Sequence, residues 1–410
     1  MKSEAQFDIG VAGVGPAGLA AALCLSRLGL RVALVGPRPR LADTRTAALF
    51  TGSVQLLRNL GTWEGCGSAA EPLVAIRILD DMGGLLRAPE VLFTATEVGL
   101  DAFGYNVPNG ALVDALHQQV AAAADRITLI ETSAVTELVV ATDTVALRLA
   151  DGETLNVRLV VGADGRNSVC RTAAGIGART WRYEQSALTC TFSHQRPHHD
   201  ISTEFHRPAG PLTVVPLPGR VSSLVWVERP AVARRLADMD EATFRSTLET
   251  RLQGLLGPLG EMGSRGLFPL SGLTADDAGR NRVALVGEAA HVIPPIGAQG
   301  LNLGFRDAAI LADCVSDTLQ TRSDIGAPAT LAAYARARRL DIATRAWSID
   351  LLNRSLISSL LPVQLLRGAG LFALKTINPL RRLAIREGLA PSFLTPRLMQ
   401  HAGSDRAPAP

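Results

Sequence analysis

Aromatic side chains are scarce in this chain, at 4% of 410 residues, while hydrophobic residues of all kinds reach 47%. Ala, Leu, Val and Gly must therefore build the core, which suits an α/β protein. A surplus of one charge is lacking too. The net charge is +3 at pH 7, which gives no reason to expect nucleic-acid binding. Metal-ligand spacing is absent. Cys24, Cys66, Cys170, Cys190 and Cys314 are isolated, and the seven histidines, His198–His199 in a polar loop among them, show no ligand pattern. No metal is expected, and the cysteines read as reduced structural thiols of a cytoplasmic protein. Internal repeats are missing. The uncharged run Ile9–Ser26 lacks a basic segment before it and carries Gly10, Gly13, Gly15, Pro16 and Gly18. It therefore reads as neither a signal peptide nor a membrane span.

The length exceeds one simple core, so two domains or one composite domain are expected. The stretch Arg282–Ala308, RVALVGEAAHVIPPIGAQGLNLGFRDA, organises the rest. Val283–Val286 is short and apolar enough for a buried strand, which Gly287 ends. Pro294, Pro295 and Gly297 hold an irregular loop. From Gln299 a helix is expected, with Leu301, Phe305, Ala308, Ile310, Leu311 and Val315 on its buried face. Glu288 thus stands at a strand end, and the loop leads to a helix N-terminus whose free N–H groups favour an anion or an electron-rich ring. A plain strand–loop–helix connection has the same pattern. His291 reads as a turn residue or as a substrate-side contact.

Phe7–Ala12 reads as a buried strand, Gly13–Gly18 (GVGPAG) follows at once, Leu19–Leu28 is a helix and Arg31–Val35 a second strand. In this βαβ setting Gly13 permits the tight turn, Gly15 the approach of a pyrophosphate, and Gly18 close packing of helix on strand. The acid expected at the end of the second strand is replaced by Gly36, followed by Arg38 and Arg40. That leaves two readings, a 2′-phosphate site for NADP or an FAD site that holds its adenosine through the backbone.

Further along, a loop leads to a helix over Ser53–Leu60, and Arg45 is a phosphate or ring contact or a solvated arginine. Short alternating segments occupy Pro72–Pro108, Ala75–Leu79 among them, with a turn at Gly83–Gly84. Asn109–Ala124 is an amphipathic helix with Asn109 as its cap. Ile127–Leu129, Ala134–Val140 and Val145–Leu149 read as strands of a small antiparallel element. The strand Leu159–Gly162 delivers Ala163, Asp164 and Gly165 into a turn flanked by Arg166, Ser168 and Arg171, which is an ordinary Asp–Gly turn or a phosphate-side motif. Leu188–Phe192, Leu212–Pro216 and Ser222–Val227 are strand candidates in a β-rich second domain. Glu241–Leu256 and Leu331–Leu352 are helices, the latter with Arg336, Arg338, Arg339 and Arg345 on a solvated face.

The three motifs, in this order and spacing, resemble those of the class A FAD-dependent aromatic hydroxylases, the para-hydroxybenzoate hydroxylase superfamily. RTAALFTGSVQLLRNLGTW, YNVPNGAL, GPLTVVPLPG and QGLNLGFRD bring the chain nearest to the ubiquinone-biosynthesis hydroxylases, over roughly residues 7–390. The resemblance implies an α/β fold with a Rossmann-like FAD-binding domain (1–74, 109–180 and 276–350), an inserted β-rich substrate domain (75–108 and 181–275), a C-terminal helical region (351–400) and a disordered tail (401–410). It implies that Gly13, Gly15 and Gly18 contact the FAD pyrophosphate, that Ala17 is a further cofactor-binding residue, that Arg45 and Asn109 lie along the FAD, and that Asp164 and Gly165 sit near the pyrophosphate. Glu288, in place of the more usual Asp, would bind the ribityl chain. Gly297, Gln299, Gly300, Leu301 and Asn302 would face the isoalloxazine ring. Pro295, Gly297 and His291 are the candidates lining the flavin and substrate site, and no general base stands out.

The chemistry implied is NAD(P)H-driven use of O2 through a flavin C4a-hydroperoxide, hydroxylating a polyprenylated phenol in ubiquinone biosynthesis. A flavin oxidoreductase that does not use O2, such as a prenyl-chain reductase, is the competing enzyme, and a flavin-poor scaffold within a quinone-biosynthesis complex is the competing non-enzyme. Seven cations stand against Glu387 in Leu351–Arg397, interleaved with apolar residues. Either these helices pack on the FAD domain with their arginines in water, or the surface, through Arg381 and Arg382, rests on an anionic membrane (peripherally, on the inner membrane) or on another quinone-biosynthesis protein.

Overall fold

The computed structural model describes residues 6–37, 43, 45–83, 89–132, 134–295, 297–357, 369–370, 372–389 and 395–401. The expectations for Arg38, Arg40, Gly84 and the tail 402–410 lie outside them. In chain order the first half contains β1 (Phe7–Ala12), α1 (Pro16–Ser26), β2 (Val32–Gly36), β3 (Thr46–Phe50), α2 (Thr51–Asn59), α3 (Trp63–Cys66), β4 (Glu71–Pro72), β5 (Ala75–Asp80), β6 (Val91–Thr94), β7 (Gly104–Pro108), α4 (Asn109–Ala122), β8 (Ile127–Glu131), β9 (Val135–Val140), β10 (Val145–Leu149), β11 (Thr154–Gly162) and α5 (Val169–Ala173). The second half contains β12 (Ala178–His194), β13 (Ile201–His206), β14 (Leu212–Leu217), β15 (Val221–Glu228), α6 (Pro230–Asp238), α7 (Glu241–Leu252), β16 (Leu259–Met262), β17 (Gly266–Ala275), β18 (Gly279–Arg280), β19 (Val283–Leu285), β20 (His291–Val292), α8 (Gln299–Gln320), α9 (Pro328–Ile357) and α10 (Asn378–Leu389).

The first sheet runs β18-β19-β11-β1-β2-β8. From β19 to β8 the pairing is parallel. Leu285, Gly162, Ala12 and Val35 stand in one register row across it. β19, β11 and β1 end there and β2 one residue later, so the turn after β1, the Ala163–Gly165 turn and the Gly287–Glu288 corner all open at the same carboxyl edge, where α/β sheets bind their ligands. The strands are buried on both faces and read as apolar runs, as parallel strands must. β8 corrects one expectation: it joins this sheet in parallel beside β2, while only β9 and β10 pair antiparallel, onto β11. The period of three short strands cannot tell these pairings apart.

α1 forms because Pro16 stands at its start, where a missing N–H costs nothing, and Ala and Leu fill the rest. Gly29, in the left-handed region at φ +80°, turns the chain back. α8 packs on α1. Leu303, Phe305, Ala308, Leu311 and Val315 are buried. Burying a Leu or Phe side chain contributes about 1.5–3 kcal/mol each, so the start of α8 is held firmly beside the sheet.

The second sheet runs β20-β17-β12-β15-β14-β13-β5-β6, with β16 on β12. Leu188, Phe192, Trp226, Phe244 and Leu248 form its core with α7. Its strands are longer than the apolar runs suggested, because β12 continues N-terminally through the polar residues Arg179–Gln185. β13, α6, β16 and β17 carried no clear period and went unforeseen. β3, β7 and β4 make a small third sheet.

Two further expectations are corrected. Asn109 does not cap α4. It is the first helical residue after Pro108, and its amide donates to Asp43 Oδ2 at 3.0 Å. The arginines of α9 are not one solvated face, for Arg338 is wholly buried, Arg345 is largely so, and only Arg336 and Arg339 are exposed. Arg381 is likewise no free cation. It pairs with both oxygens of Glu97 and with the Leu92 carbonyl, tying α10 to the turn after β6. No helix among the described residues is long and apolar enough to cross a membrane.

Candidate active site

The three glycines of GVGPAG have different tasks. A Cβ on Gly13 would lie 2.2 Å from the Ala163 carbonyl oxygen, and Gly13 sits at φ +117°. A Cβ on Gly18 would lie 2.0 Å from the Gly13 oxygen. These two therefore permit the close crossing of α1 over the Asp164 turn. Gly15 is different, because a Cβ there meets nothing within 4 Å. It is the N-cap of α1 with no side-chain cap bond, so open space lies directly before a positive helix end. Ala17 lies where α1 passes α8, and a Cβ on Gly287 or Gly304 would come within 3.0 or 3.3 Å of its methyl.

Gly36 is buried at the end of β2. A Cβ there would approach the methyls of Val14 at 3.2 and 3.3 Å. The absent acid is thus matched by a valine in the glycine-rich turn that fills its approach.

Asp164 accepts the Cys170 N–H through Oδ2 at 3.0 Å, while its buried Oδ1 has no partner among the described atoms. Gly165 beside it takes φ +81° with open space at its Cβ position. Arg171 donates to the Ala289 carbonyl at 2.9 Å, which joins this turn to the third motif.

Asp43 brings Arg45 and Asn109 together, and sequence reasoning missed it. Arg45 grips it through Nε at 2.8 Å and Nη2 at 2.6 Å. Burial opposes the Asp43 charge, but the bonds from Arg45 and Asn109 outweigh it and hold the carboxyl down at about 2. The same bond raises Arg45, with burial opposing and Glu288 adding a distant attraction. The guanidinium also lies 4.9 Å from the Phe268 ring centre. The buried Asn109 Oδ1 has no partner among the described atoms.

Glu288 lies in a single 3-10 turn, Gly287–Ala289, just past β19. Loop residues Pro295 and Gly297 are exposed, Ala298 is left-handed at φ +52°, and α8 starts with no side-chain cap bond. At both Gly297 and Gly300 a Cβ meets nothing within 4 Å. Leu301 packs on the core, and Gln299 is buried and accepts from Arg345. The Asn302 side chain is consumed by protein bonds. Its Oδ1 accepts from the Phe50 N–H at 2.9 Å and the Ser53 hydroxyl at 2.7 Å, and its amide donates to the carbonyls of Ala48 and Ala298 at 2.8 and 2.6 Å.

His291 is neither a turn residue nor open to the site. It is buried in β20 with Nε2 2.7 Å from Asp307 Oδ2. Asp307 also accepts the Gly287 N–H at 2.9 Å and Arg338 Nε at 2.6 Å. Burial works against this charge, and the Arg338 charge, then the attraction and hydrogen bond of His291 and the Gly287 N–H, keep the carboxyl below its ordinary value. This group too was missed. Its signal was an acid on the buried face of α8, facing a Leu331–Tyr334–Arg338–Arg345 stripe at helical spacing on α9.

Open space at Gly15, Gly297 and Gly300, two uncapped helix ends, the unpartnered oxygens of Asp164 and Asn109, and the exposed Glu288 carboxylate lie along the three motifs that the parallel sheet gathers at one edge. They suit a long group with a central double anion, hydroxyls to donate to carboxylates, and an electron-rich ring. FAD is such a group.

Comparison with known proteins agrees. The family described as "FAD binding domain" matches residues 6–348. The chain is 35% identical to the ubiquinone hydroxylase UbiL of Rhodospirillum rubrum, over 96% of this chain and 92% of that one. It is 31% identical to the 3-demethoxyubiquinol 3-hydroxylase of Escherichia coli, over 93% and 98%. The p-nitrophenol 4-monooxygenase PnpA of Pseudomonas putida shares the fold, with a TM-score of 0.76 at 19% identity, over 94% of this chain and 99% of that one. The chain therefore belongs to the family of FAD-dependent monooxygenases that share this FAD-binding domain.

Proposed function

We propose that this protein hydroxylates the aromatic ring of a polyprenylated phenol on the route to ubiquinone, using FAD, NAD(P)H and O2. One observation carries the reading: near full-length similarity, at 35% and 31% identity, to two hydroxylases named for ubiquinone substrates. The balanced reaction takes a ring C–H, O2, NAD(P)H and a proton to a ring C–OH, water and NAD(P)+.

FAD, when bound, supplies the redox chemistry that cleaves O2 and inserts one oxygen atom. The protein binds and orients. Gly15 and the start of α1 hold the pyrophosphate, with Asp164 and Gly165 beside it. Arg45, fixed by Asp43, and Asn109 line the cofactor. Glu288 accepts a hydrogen bond from a ribityl hydroxyl. The free N–H groups of Gln299, Gly300 and Leu301 point their positive helix end at the ring edge where negative charge gathers. Pro295 and Gly297 form the loop on the substrate side. A substrate ring enclosed there excludes water and protects the oxygen-transfer step.

The substrate's isoprenoid tail is not free in water, so the protein meets it at an anionic membrane surface through its C-terminal helices. Exposed Phe372, Ile377, Leu380 and Leu383 lie among exposed Lys375, Arg382 and Arg386.

Mass spectrometry of the quinone intermediates in a deletion strain tests the reaction. An accumulated precursor lacking one ring hydroxyl supports it, whereas an unreduced prenyl chain with a complete ring overturns it in favour of a reductase. An absorption spectrum of freshly purified protein without flavin bands, unchanged on adding FAD, would favour a scaffold.

A further inference from the structure

Five charged side chains meet beneath the loop 287–299. Asp307 of α8 accepts the Gly287 N–H and His291 Nε2 on one oxygen and Arg338 Nε on the other. Arg338 continues to Asp341 Oδ2 at 2.6 Å. Arg306 Nε lies 2.7 Å from the same oxygen, and Arg345 Nε donates to Asp341 Oδ1 at 2.8 Å. Arg345 then donates to the side chain of Gln299. The path begins at Gly287 and His291, at the start of the loop, and ends at Gln299, at its close.

Stability alone explains this poorly. Asp307 and Arg338 have no exposed side-chain surface, and replacing such a buried pair by apolar residues is often neutral or stabilising. Two helices that needed only to pack would do so with leucines. The bonds instead leave the helix pair and land on the loop: one on a backbone N–H, one on an imidazole, one on the first helical residue. Arg171 to Ala289 and Asn302 to Ala298 hold two of the loop's carbonyls. The charged path holds its two ends.

We propose that Asp307 and Arg338, extended by Asp341 and Arg345, form a positioning unit that clamps both ends of the loop 287–299 and so sets where Glu288 and the N–H groups of α8 stand against the flavin. This rests on the reading that the loop and the start of α8 face the flavin ring. The unit touches neither cofactor nor substrate. It acts through Gly287, His291 and Gln299. A loop displaced by about 1 Å costs on the order of a hundredfold in a site that works by alignment.

The test uses the full-length enzyme and four variants: Asp307→Asn, Arg345→Met, Arg345→Lys and Gly300→Val. Readouts are the FAD dissociation constant by titration of apoprotein, the visible spectrum of bound flavin, and the apoprotein melting temperature. Asp307→Asn and Arg345→Met are expected to raise the dissociation constant about tenfold, as the loss of roughly one charged hydrogen bond from loop to FAD would, and to shift the flavin band, with the Arg345→Met apoprotein melting as the parent does. Arg345→Lys should recover part of the affinity. Unchanged affinity and spectrum overturn the proposal, as does a lowered melting temperature with an unmoved dissociation constant. If Asp307→Asn does not fold, Arg345→Met decides alone, since Arg345 is the outer, 12% exposed end of the path. Gly300→Val separates the two levels. If it binds FAD like the parent, the loop does not face the ring, and the site reading fails together with the clamp. If it loses FAD while Arg345→Met keeps it, only the clamp fails.

Discussion

Asn302 Oδ1 accepts the Phe50 N–H at 2.9 Å across 252 positions of sequence. The same amide group also bonds Ser53, Ala48 and Ala298. One side chain thus bolts the start of α8 to the β3–α2 corner, and four partners lose a bond if it is removed. We predict that Asn302→Leu, similar in size and unable to bond, destabilises the protein by on the order of 3 kcal/mol. Urea unfolding of the apoprotein measures it. A loss below about 1 kcal/mol would mean that water replaces these bonds at little cost.

The two glycines at the start of α1 should separate folding from binding. Gly15→Val adds atoms into open space, so the apoprotein should fold with its parent's melting temperature and bind no FAD. Gly18→Ala drives a methyl against the Gly13 carbonyl oxygen and should destabilise the fold itself. Differential scanning of both apoproteins, followed by FAD titration, reads the contrast. A yellow, fully loaded Gly15→Val protein would remove the pyrophosphate from this turn.

Glu288 is exposed at the corner after β19, and no described hydrogen bond consumes its carboxylate in the protein. Loss of one charged hydrogen bond to a ribityl hydroxyl should weaken FAD by about 1.5–3 kcal/mol. Glu288→Ala is therefore expected to lower flavin occupancy after gel filtration, and Glu288→Asp to keep or raise it. Equal affinity in Glu288→Ala would make the residue a surface turn acid.

Much of this site was legible because its cues are local. GVGPAG lies between a strand and a helix, Asp164–Gly165 follows an apolar run, and Gln299 begins a helical period. The sheet needed only to place three strand ends in one row, as parallel pairing does. The residues that went unread owe their role to partners that the sequence pattern does not mark. Asp43 is an ordinary loop acid until Arg45 and Asn109 close on it, and Arg338 looks like any helix arginine until α8 brings Asp307 beneath it. Periodicity shows which face is buried. It cannot show that a buried charge has found its partner 31 residues away. β8 was misread for a related reason, since a five-residue strand has the same alternation in either pairing direction.

Glu97 and Arg381 supply a pH signature. Hydrogen bonds from Arg381, opposed by burial and aided by the Thr94 N–H, lower the Glu97 carboxyl from an ordinary 4.5 to about 2. A depressed carboxylate stabilises the fold above its unfolded value, and that stabilisation fades as pH falls through its folded value. Glu97→Gln should therefore lower the melting temperature at pH 7, by a loss on the order of 1 kcal/mol. The gap to the parent should narrow from about pH 4.5 and close near pH 2. Melting curves taken across this range check it. No gap at any pH would mean that stacking of Arg381 on Phe93, whose ring centre lies 4.7 Å from the guanidinium carbon, holds α10 instead.

The last expectation concerns the membrane. Arg381 is occupied by Glu97, so among the described residues around α10 the cations left to meet an anionic surface are Lys375, Arg382 and Arg386, all exposed. Around them Phe372 is 58%, Ile377 49% and Leu383 56% exposed. Apolar side chains standing in water beside exposed cations suit the boundary of an anionic bilayer, where each cation contributes about 1 kcal/mol and salt weakens the attraction. Liposomes containing anionic lipid should float the parent at low salt and release it at high salt. Arg382→Glu/Arg386→Glu should lose on the order of 2 kcal/mol of binding from the two cations alone, with its flavin spectrum intact because α10 packs on β6 and the turn after it. Phe372→Ser should weaken flotation at both salt concentrations, since its contribution is not electrostatic. If the parent stays wholly in the soluble fraction at low salt, the membrane contact is wrong, and a carrier protein must deliver the substrate.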